Sequence, residues 1–151
     1  MLCDTYEPNG TPLPTNYRYH ADQKFNAKLD ELPWFGIEQE YFLVLNSADN
    51  INKPVVPYGH HYCGTTSKIE RAIVEKHLHV CLYAGLTISG LNAEVAADQW
   101  EFQIGPCTGI QAADQVIVAR YLLERVAEIY NATVNYYPKP VPNINGSGCH
   151  I

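Results

Sequence analysis

The stretch LTISGLNAEVAADQWEFQI, residues Leu86–Ile104, determines the fold class that we predict for this chain. It contains two segments rich in strand-forming residues, Leu86–Val95 and Gln99–Ile104, joined by a link of three residues, Ala96–Asp98. Parallel strands need a crossover connection of a dozen or more residues, so these two strands must run antiparallel. The pair therefore favours an α+β fold over a doubly wound parallel sheet.

The rest of the chain supplies helices and further strands, predicted from hydrophobic periodicity and turn residues. In chain order they are a short strand Leu2–Tyr6, a helix within Ala21–Leu32, a strand Phe35–Leu45, a long loop Asn46–Thr66, a helix Lys68–Ala84 followed by Gly85 as its C′ residue, a helix Gln111–Tyr130 and a strand Ala132–Tyr136. Within the last helix, Arg120 and Glu124 have the spacing of an exposed i,i+4 ion pair. We predict a curved, mostly antiparallel sheet flanked by helices.

Composition excludes several classes of function. The chain has 151 residues, 46% of them hydrophobic, which suits one domain with one core. Its net charge of −6 and the lack of a Lys/Arg cluster argue against a nucleic-acid partner. It has no apolar run long enough to span a membrane and no signal-peptide pattern, so we expect a cytoplasmic protein without membrane contact. Five cysteines without a C-x-x-C pair argue for reduced thiols rather than disulfides or structural zinc.

Two acidic residues lie one residue apart in the apolar segment FGIEQEYF, Phe35–Phe42. Because side chains alternate between the faces of a strand, Glu38 and Glu40 point the same way, about 7 Å apart. The strand that begins at Gln99 also has a polar face, which carries Glu101.

Carboxylates on these strands converge if the segments share one sheet. Glu38, Glu40, Glu94 and Glu101 would then meet, with His150 as a further candidate. Like charges ~4 Å apart repel by roughly 4 kcal/mol at an effective dielectric near 20, so such a cluster must take up protons or cations. Oxygen ligands with at most one imidazole suit Mg²⁺ or Mn²⁺. The alternative, separate solvated strand faces, fits the spacing equally well.

Other catalytic motifs are weak. The sequence has no Walker A motif, and Gly146–Gly148 is more typical of a flexible turn than of a phosphate cradle. Cys149 and His150 are adjacent, which rarely lets a thiol and a base face each other. His77 lies on the apolar stripe of its helix, which favours a packed core histidine over a ligand.

Longer blocks of the sequence resemble glutamine synthetase of the eukaryotic type, over essentially the whole chain and in the family's order. The blocks are CDTYEPNGTPLPTN (Cys3–Asn16), PWFGIEQEYF (Pro33–Phe42), HYCG (His61–Gly64), IVEKHLHVCLYAGLTISGLNAEV (Ile73–Val95), QWEFQIGPCTGI (Gln99–Ile110) and NGSGCH (Asn145–His150).

The resemblance implies a centre with two or more Mg²⁺ or Mn²⁺ ions, which also forms the catalytic site. Glu40, Glu94 and Glu101 match ligands of the ion that orders glutamate, and Glu38 and His150 match ligands of the ion on the ATP phosphates. The residues matched to ATP binding are Glu38, Glu101, Phe102, Gln103, Ile104, Gly105 and Pro106. Those matched to glutamate binding are Glu94, Asn143, Ile144, Asn145 and Gly146.

The resemblance also implies an extent and an activity. Residues 1–20 correspond to the end of the linker from a small β-grasp domain and a first strand, and residues 21–151 to part of the catalytic domain. We expect the β-grasp domain and the C-terminal part of the catalytic domain to lie outside this sequence. The family reaction joins ammonia to glutamate at the expense of ATP, in a ring-shaped homo-oligomer.

Three functions remain open on the sequence. The chain can be the first half of the catalytic domain of an ATP-dependent glutamate–ammonia ligase. It can be a non-catalytic metal- or nucleotide-binding remnant, or a regulatory subunit, of the same family. The third alternative is an unrelated acidic α+β domain.

Overall fold

A computed structural model describes residues 2–46, 62 and 68–151 of the chain. Its helices are α1 Tyr17–Asn26, α2 Lys68–Tyr83 and α3 Gln111–Ile129, and its strands are β1 Trp34–Leu45, β2 Ile88–Ala93, β3 Gln99–Thr108, β4 Ala132–Asn135 and β5 Cys149–His150. A 3₁₀ turn, Leu29–Glu31, follows α1. The predicted α+β class is confirmed, with an open antiparallel sheet. Among the described helices, none is long and apolar enough to cross a membrane.

The sheet has the strand order β2-β3-β1-β4, and β5 pairs with β1 as well. Every pairing is antiparallel, including the predicted β2–β3 hairpin, in which Asn92 lies opposite Glu101. The same edge of β1 pairs with β5 at Glu38 and Gln39 and with β4 from Phe42 onward. The central strand β1 therefore touches three other strands.

Helices α2 and α3 cover one face of the sheet and form the core with it. Alternate residues of the two central strands point into this core: Ile37, Tyr41 and Leu43 of β1, and Trp100, Phe102 and Ile104 of β3. The predicted division of β3 into an apolar and a polar face is thus observed. Because strand side chains alternate, Glu38 and Glu40 lie on the face away from the helices.

The N-terminal segment differs from the prediction. The strand expected at Leu2–Tyr6 is reduced to one isolated bridge between Tyr6 and Pro12. Prolines have no N–H to donate, so the pairing cannot extend along this segment. The helix expected within Ala21–Leu32 begins earlier, at Tyr17, because Asn16 caps it by accepting a hydrogen bond from the Tyr19 N–H (3.0 Å).

The strand β5 was not predicted from the sequence, since two residues give no periodicity. Most of the predicted loop Asn46–Thr66, and with it Cys63, lies outside the described residues. Among the four cysteines that the structure describes, Cys3 and Cys149 are exposed, and Cys81 and Cys107 are buried.

Candidate metal centre

Strand register brings the predicted acidic residues together on the open face of the sheet. Glu40 of β1 lies directly opposite Glu101 of β3. Glu38, two residues earlier, lies opposite His150 of β5. Glu94 follows the end of β2, and its N–H donates to the carbonyl of Gln99 at the start of β3 (2.8 Å). The alternative of separate solvated faces does not hold for these side chains.

The five side chains form two groups with suitable geometry for metal ions. Glu40, Glu94 and Glu101 make up one group, and Glu38, Glu101 and His150 the other. In each group the ligand atoms lie within 4.8 Å of one another. Glu101 belongs to both groups, so two ions held here would share it.

Burial and mutual repulsion disfavour the charged form of two of these carboxylates. The pKa of Glu101 is raised by burial and by the nearby Glu38 and Glu40, while a hydrogen bond from Gln103 opposes the rise. Burial and the charges of Glu40 and Glu101 raise the pKa of Glu94. Within the described residues, no lysine or arginine forms an ion pair with these carboxylates. A bound cation would supply a counter-charge here, and the oxygen-rich donor set fits Mg²⁺ or Mn²⁺.

Neighbouring amides hold the carboxylates in place. Asn92 Nδ2 donates to Glu94 Oε1 (3.2 Å), and Gln103 Nε2 donates to Glu101 Oε1 and to Asn92 Oδ1. Sequence analysis assigned Asn92 no function and Gln103 only a nucleotide contact. Strand alternation could have found Gln103, because it lies two residues from Glu101 on the same face.

A second network supports the centre from the opposite side of β1. Gln39 Nε2 donates to the carbonyl oxygens of Glu40 (2.7 Å) and Gly148 (3.3 Å). Arg120 Nε in turn donates to Gln39 Oε1 (2.7 Å), and an Nη of Arg120 contacts Cys149 Sγ (3.3 Å). The predicted exposed pair of Arg120 with Glu124 is therefore wrong, since Arg120 points into the sheet rather than along the helix surface.

At two glycines before His150, an added Cβ would lie too close to neighbouring atoms for these to stay in place. A Cβ on Gly146 would lie 2.0 Å from the carbonyl oxygen of Pro138, and a Cβ on Gly148 would lie 2.4 Å from His150 Nε2. The motif NGSG thus allows the chain to pass close to the Pro138 carbonyl and to the His150 ring. His150 Nδ1 lies 3.6 Å from Glu38 Oε2 and 3.7 Å from Glu40 Oε1.

The segment matched to ATP binding, Glu101–Pro106, lies within β3. The side chains of Phe102 and Ile104 are 1% exposed and lie in the core. Gly105 is buried and Pro106 is exposed at the end of the segment. Nucleotide contacts from Phe102 and Ile104 would therefore use their main-chain atoms.

The loop matched to glutamate binding meets the centre through Gly146, whose carbonyl accepts a hydrogen bond from Gln99 Nε2 (2.8 Å). Asn143, Ile144 and Asn145 form no hydrogen bond or ion pair with the acidic residues in the part of the chain that the structure describes; the Ile144 carbonyl accepts from Lys139 Nζ.

His77 is remote from the acidic residues. It is 2% exposed, its Nε2 lies 2.9 Å from the Ala119 carbonyl and 3.1 Å from Cys81 Sγ, and its ring packs edge-on against Phe102. This is the packed core histidine that the helix pattern favoured.

Comparison with known proteins identifies relatives along the whole chain. Residues 20–151 match the family model described as "Glutamine synthetase, catalytic domain". The chain is 47% identical to the glutamine synthetase cytosolic isozyme 1-1 of Oryza sativa subsp. japonica, 49% to the cytosolic isozyme 1-3 of Arabidopsis thaliana and 46% to the glutamine synthetase of Agaricus bisporus. Each alignment covers 99% of this chain but only 45, 45 and 44% of the relative, so the chain spans less than half their length.

A solved structure shares the fold. It is described as "Crystal structure of novel glutamine synthase homolog", with a TM-score of 0.68 and 20% identity over 97% of this chain and 33% of that one.

Proposed function

The chain belongs to the glutamine synthetase family, and from this premise we propose that it forms the metal-binding part of an active site that ligates ammonia to glutamate. The observation that carries the proposal is the pair of ligand groups that share Glu101, with ligand atoms within 4.8 Å of one another in each group. These groups lie in the matched residues 20–151.

In the proposed centre, Glu40, Glu94 and Glu101 would hold the ion on the glutamate side, and Glu38 and His150 would hold the ion on the ATP side together with the shared Glu101. Mg²⁺ or Mn²⁺ bound there supplies charge neutralisation of the phosphates and of the attacking carboxylate, which removes the need for a P-loop. The acidic side chains give the centre a negative electrostatic potential that attracts cations. The side-chain amides of Asn92 and Gln103 orient the carboxylate oxygens of Glu94 and Glu101.

The proposed reaction has two steps. The γ-phosphoryl group of ATP passes to the side-chain carboxylate of glutamate, which gives γ-glutamyl phosphate. Ammonia then displaces phosphate and gives glutamine. Glu101–Pro106 would contact the nucleotide. The loop Asn143–Gly146, together with Glu94, would contact glutamate.

The rest of the site is proposed to come from parts of a longer enzyme. We infer that residues 1–20 are the end of a linker and that residues 21–151 are part of a catalytic domain, which works in a ring of identical subunits. A cytosolic location is supported by the rice and Arabidopsis relatives, which are named cytosolic isozymes.

A second function is a non-catalytic metal- or nucleotide-binding subunit of the same family. It is favoured by the charge of the centre: among the described residues no arginine forms an ion pair with the centre's acidic residues, and Arg120 donates to Gln39 instead. Transition-state charge on a phosphoryl group would then have little compensation from the described residues.

Metal binding by this chain tests the proposal. Because Glu101 belongs to both groups, Glu101→Gln should weaken binding of both Mn²⁺ ions in electron paramagnetic resonance titrations, whereas Glu94→Gln should weaken one. Glu124→Gln on the exposed face of α3 is the control and should bind as the wild type does. Equal Mn²⁺ binding by Glu101→Gln and the wild type would contradict the proposed centre.

Phosphate release in the presence of glutamate, ATP, Mg²⁺ and ammonia distinguishes the two functions where turnover occurs. Turnover that Glu40→Ala abolishes would establish the ligase and eliminate the second function. We expect this chain by itself to bind Mn²⁺ without turnover, because charge compensation for the phosphoryl group is incomplete.

A further inference from the structure

We propose that Gln99 is a positioning residue, which fixes the carboxylate of Glu40 and ties together the three segments that form the metal centre. The inference rests on the proposed function, since it assigns Gln99 a part in holding a proposed ligand. Gln99 is 1% exposed at the first position of β3, and it lies opposite Phe42 of β1. Burying a polar side chain this deeply lowers the stability of the fold unless its hydrogen bonds are made.

The two polar atoms of the Gln99 side chain contact three segments. Its Nε2 donates to Glu40 Oε2 (3.0 Å) and to the carbonyl of Gly146 (2.8 Å). Its Oε1 accepts from the Ala96 N–H (3.3 Å). Gln99 therefore connects β1, the turn between Glu94 and Glu101, and the loop that leads to His150.

These contacts decide which oxygen of Glu40 faces the centre. Glu40 Oε2 accepts hydrogen bonds from Gln99 Nε2 and from the Gly148 N–H (3.1 Å). Glu40 Oε1 lies 3.7 Å from His150 Nδ1. With Oε2 held by two donors, the carboxylate cannot rotate freely, and Oε1 is the oxygen presented to an ion.

The chemistry requires an amide at position 99. A carboxylate there would place a further negative charge against Glu40, and an apolar side chain would leave the Gly146 carbonyl and the Ala96 N–H without their partner. Partners of ligating carboxylates typically change metal affinity 10–100-fold when they are removed. Gln99→Met keeps a similar volume and removes all three hydrogen bonds.

The experiment measures metal affinity and local hydrogen bonding separately. Mn²⁺ alone is titrated into the wild type, Gln99→Met and two controls, and amide hydrogen exchange is followed by NMR without metal. Gln115→Met deletes an amide that binds Thr87 and that, among the described residues, has no hydrogen bond with the acidic residues of the centre. Ile73→Val lowers core stability without touching the acidic residues.

We expect Gln99→Met to weaken Mn²⁺ binding by roughly 10–100-fold and the controls to leave it unchanged. The Gly148 and Ala96 amides should exchange faster in Gln99→Met than in either control. Unchanged exchange at both amides would overturn the inference, as would an equal loss of Mn²⁺ affinity in Ile73→Val. If the wild type binds no Mn²⁺, the proposed metal centre fails, and amide exchange still decides whether Gln99 positions Glu40.

A measurement on the wild type covers the case in which Gln99→Met does not fold. The side-chain Nε2 hydrogens of Gln99 should exchange much more slowly than those of Gln115, whose amide lies nearer the surface. Equal exchange rates for the two side-chain amides would overturn the inference.

Discussion

Glu40 and Glu101 lie directly opposite each other on adjacent antiparallel strands, with their carboxylates in one acidic group. Like charges in this position repel across a strand pair. Both residues are nine-tenths or more buried, so water screens the repulsion poorly. The arrangement opposes folding in the absence of a cation, and it is the arrangement that a cation would stabilise.

Removing one of these charges should therefore stabilise the metal-free chain. For Glu101→Gln we expect the free energy of unfolding to rise by up to about 1 kcal/mol, since a cross-strand repulsion is lost and the hydrogen bond from Gln103 can be kept. Urea denaturation in the presence of a chelator measures the change. Mn²⁺ should raise the melting temperature of the wild type and of the control Glu124→Gln. It should raise the melting temperature of Glu101→Gln much less. A lower stability of metal-free Glu101→Gln would argue against this account.

The two glycines before His150 should respond differently to alanine. In Gly148→Ala the new Cβ meets the end of the His150 ring, which can swing away, so we expect weaker Mn²⁺ binding with stability nearly unchanged. In Gly146→Ala it meets the backbone carbonyl of Pro138, which cannot move alone, so we expect a loss of stability as well. Paired Mn²⁺ titrations and thermal melts distinguish the two variants. Equal losses of stability would show that the ring of His150 is not free to move.

Most of the sheet and two helices could be predicted from local patterns. The short link between Leu86–Val95 and Gln99–Ile104 specified an antiparallel pair, and the alternation in β3 separated its core face from its polar face. Glu38 and Glu40 could be placed on one face by the same alternation. Local periodicity alone left open whether these faces meet, because strand order and register depend on contacts between distant segments.

Contacts over long sequence separations account for what was missed. The strand β5 exists because His150 and Cys149 pair with β1, more than a hundred residues earlier in the chain. Asparagine is a residue type that favours the N-cap position, so Asn16 could have indicated the start of α1. The prolines and polar residues around it obscured that start. Arg120 has the spacing of a surface pair with Glu124, and only the packing of α3 on β1 reveals its actual partner, Gln39.

The partners of Arg120 predict a loss of stability on conservative substitution. Its guanidinium donates to Gln39 Oε1 through two nitrogens and lies 5.7 Å from the ring centre of Tyr136. A lysine cannot make the forked contact, so Arg120→Lys should lower the free energy of unfolding by roughly 1–3 kcal/mol. Arg125→Lys is the control, because Arg125 pairs with Glu128 on the surface and should change stability by less than about 0.5 kcal/mol. Urea denaturation compares the two variants. Equal losses of stability would argue against a stabilising role for the contacts of Arg120 with Gln39 and Tyr136.

The buried His77 predicts a pH dependence of stability. Burial lowers its pKa from 6.5 to about 4, against the opposing hydrogen bond with the Ala119 carbonyl. The carbonyl can only accept, so Nε2 carries the hydrogen of the neutral ring. Between pH 6.5 and about 4 the unfolded chain binds a proton at His77 and the folded chain does not, so this contribution to stability is complete above pH 6.5 and is lost as the pH falls toward 4. The loss amounts to about 3 kcal/mol.

Replacement of His77 should remove this pH dependence of the free energy of unfolding. His77→Gln keeps a donor for the Ala119 carbonyl but has no group that titrates in this range, so its free energy of unfolding should fall less steeply between pH 6.5 and 4 than that of the wild type. His79→Gln, on the exposed side of the same helix, should keep the wild-type slope. Urea denaturation at several pH values measures the three profiles. A slope for His77→Gln equal to that of the wild type would mean that His77 takes up its proton at the same pH in the folded and the unfolded chain, which its packing against Phe102 and Ala119 opposes.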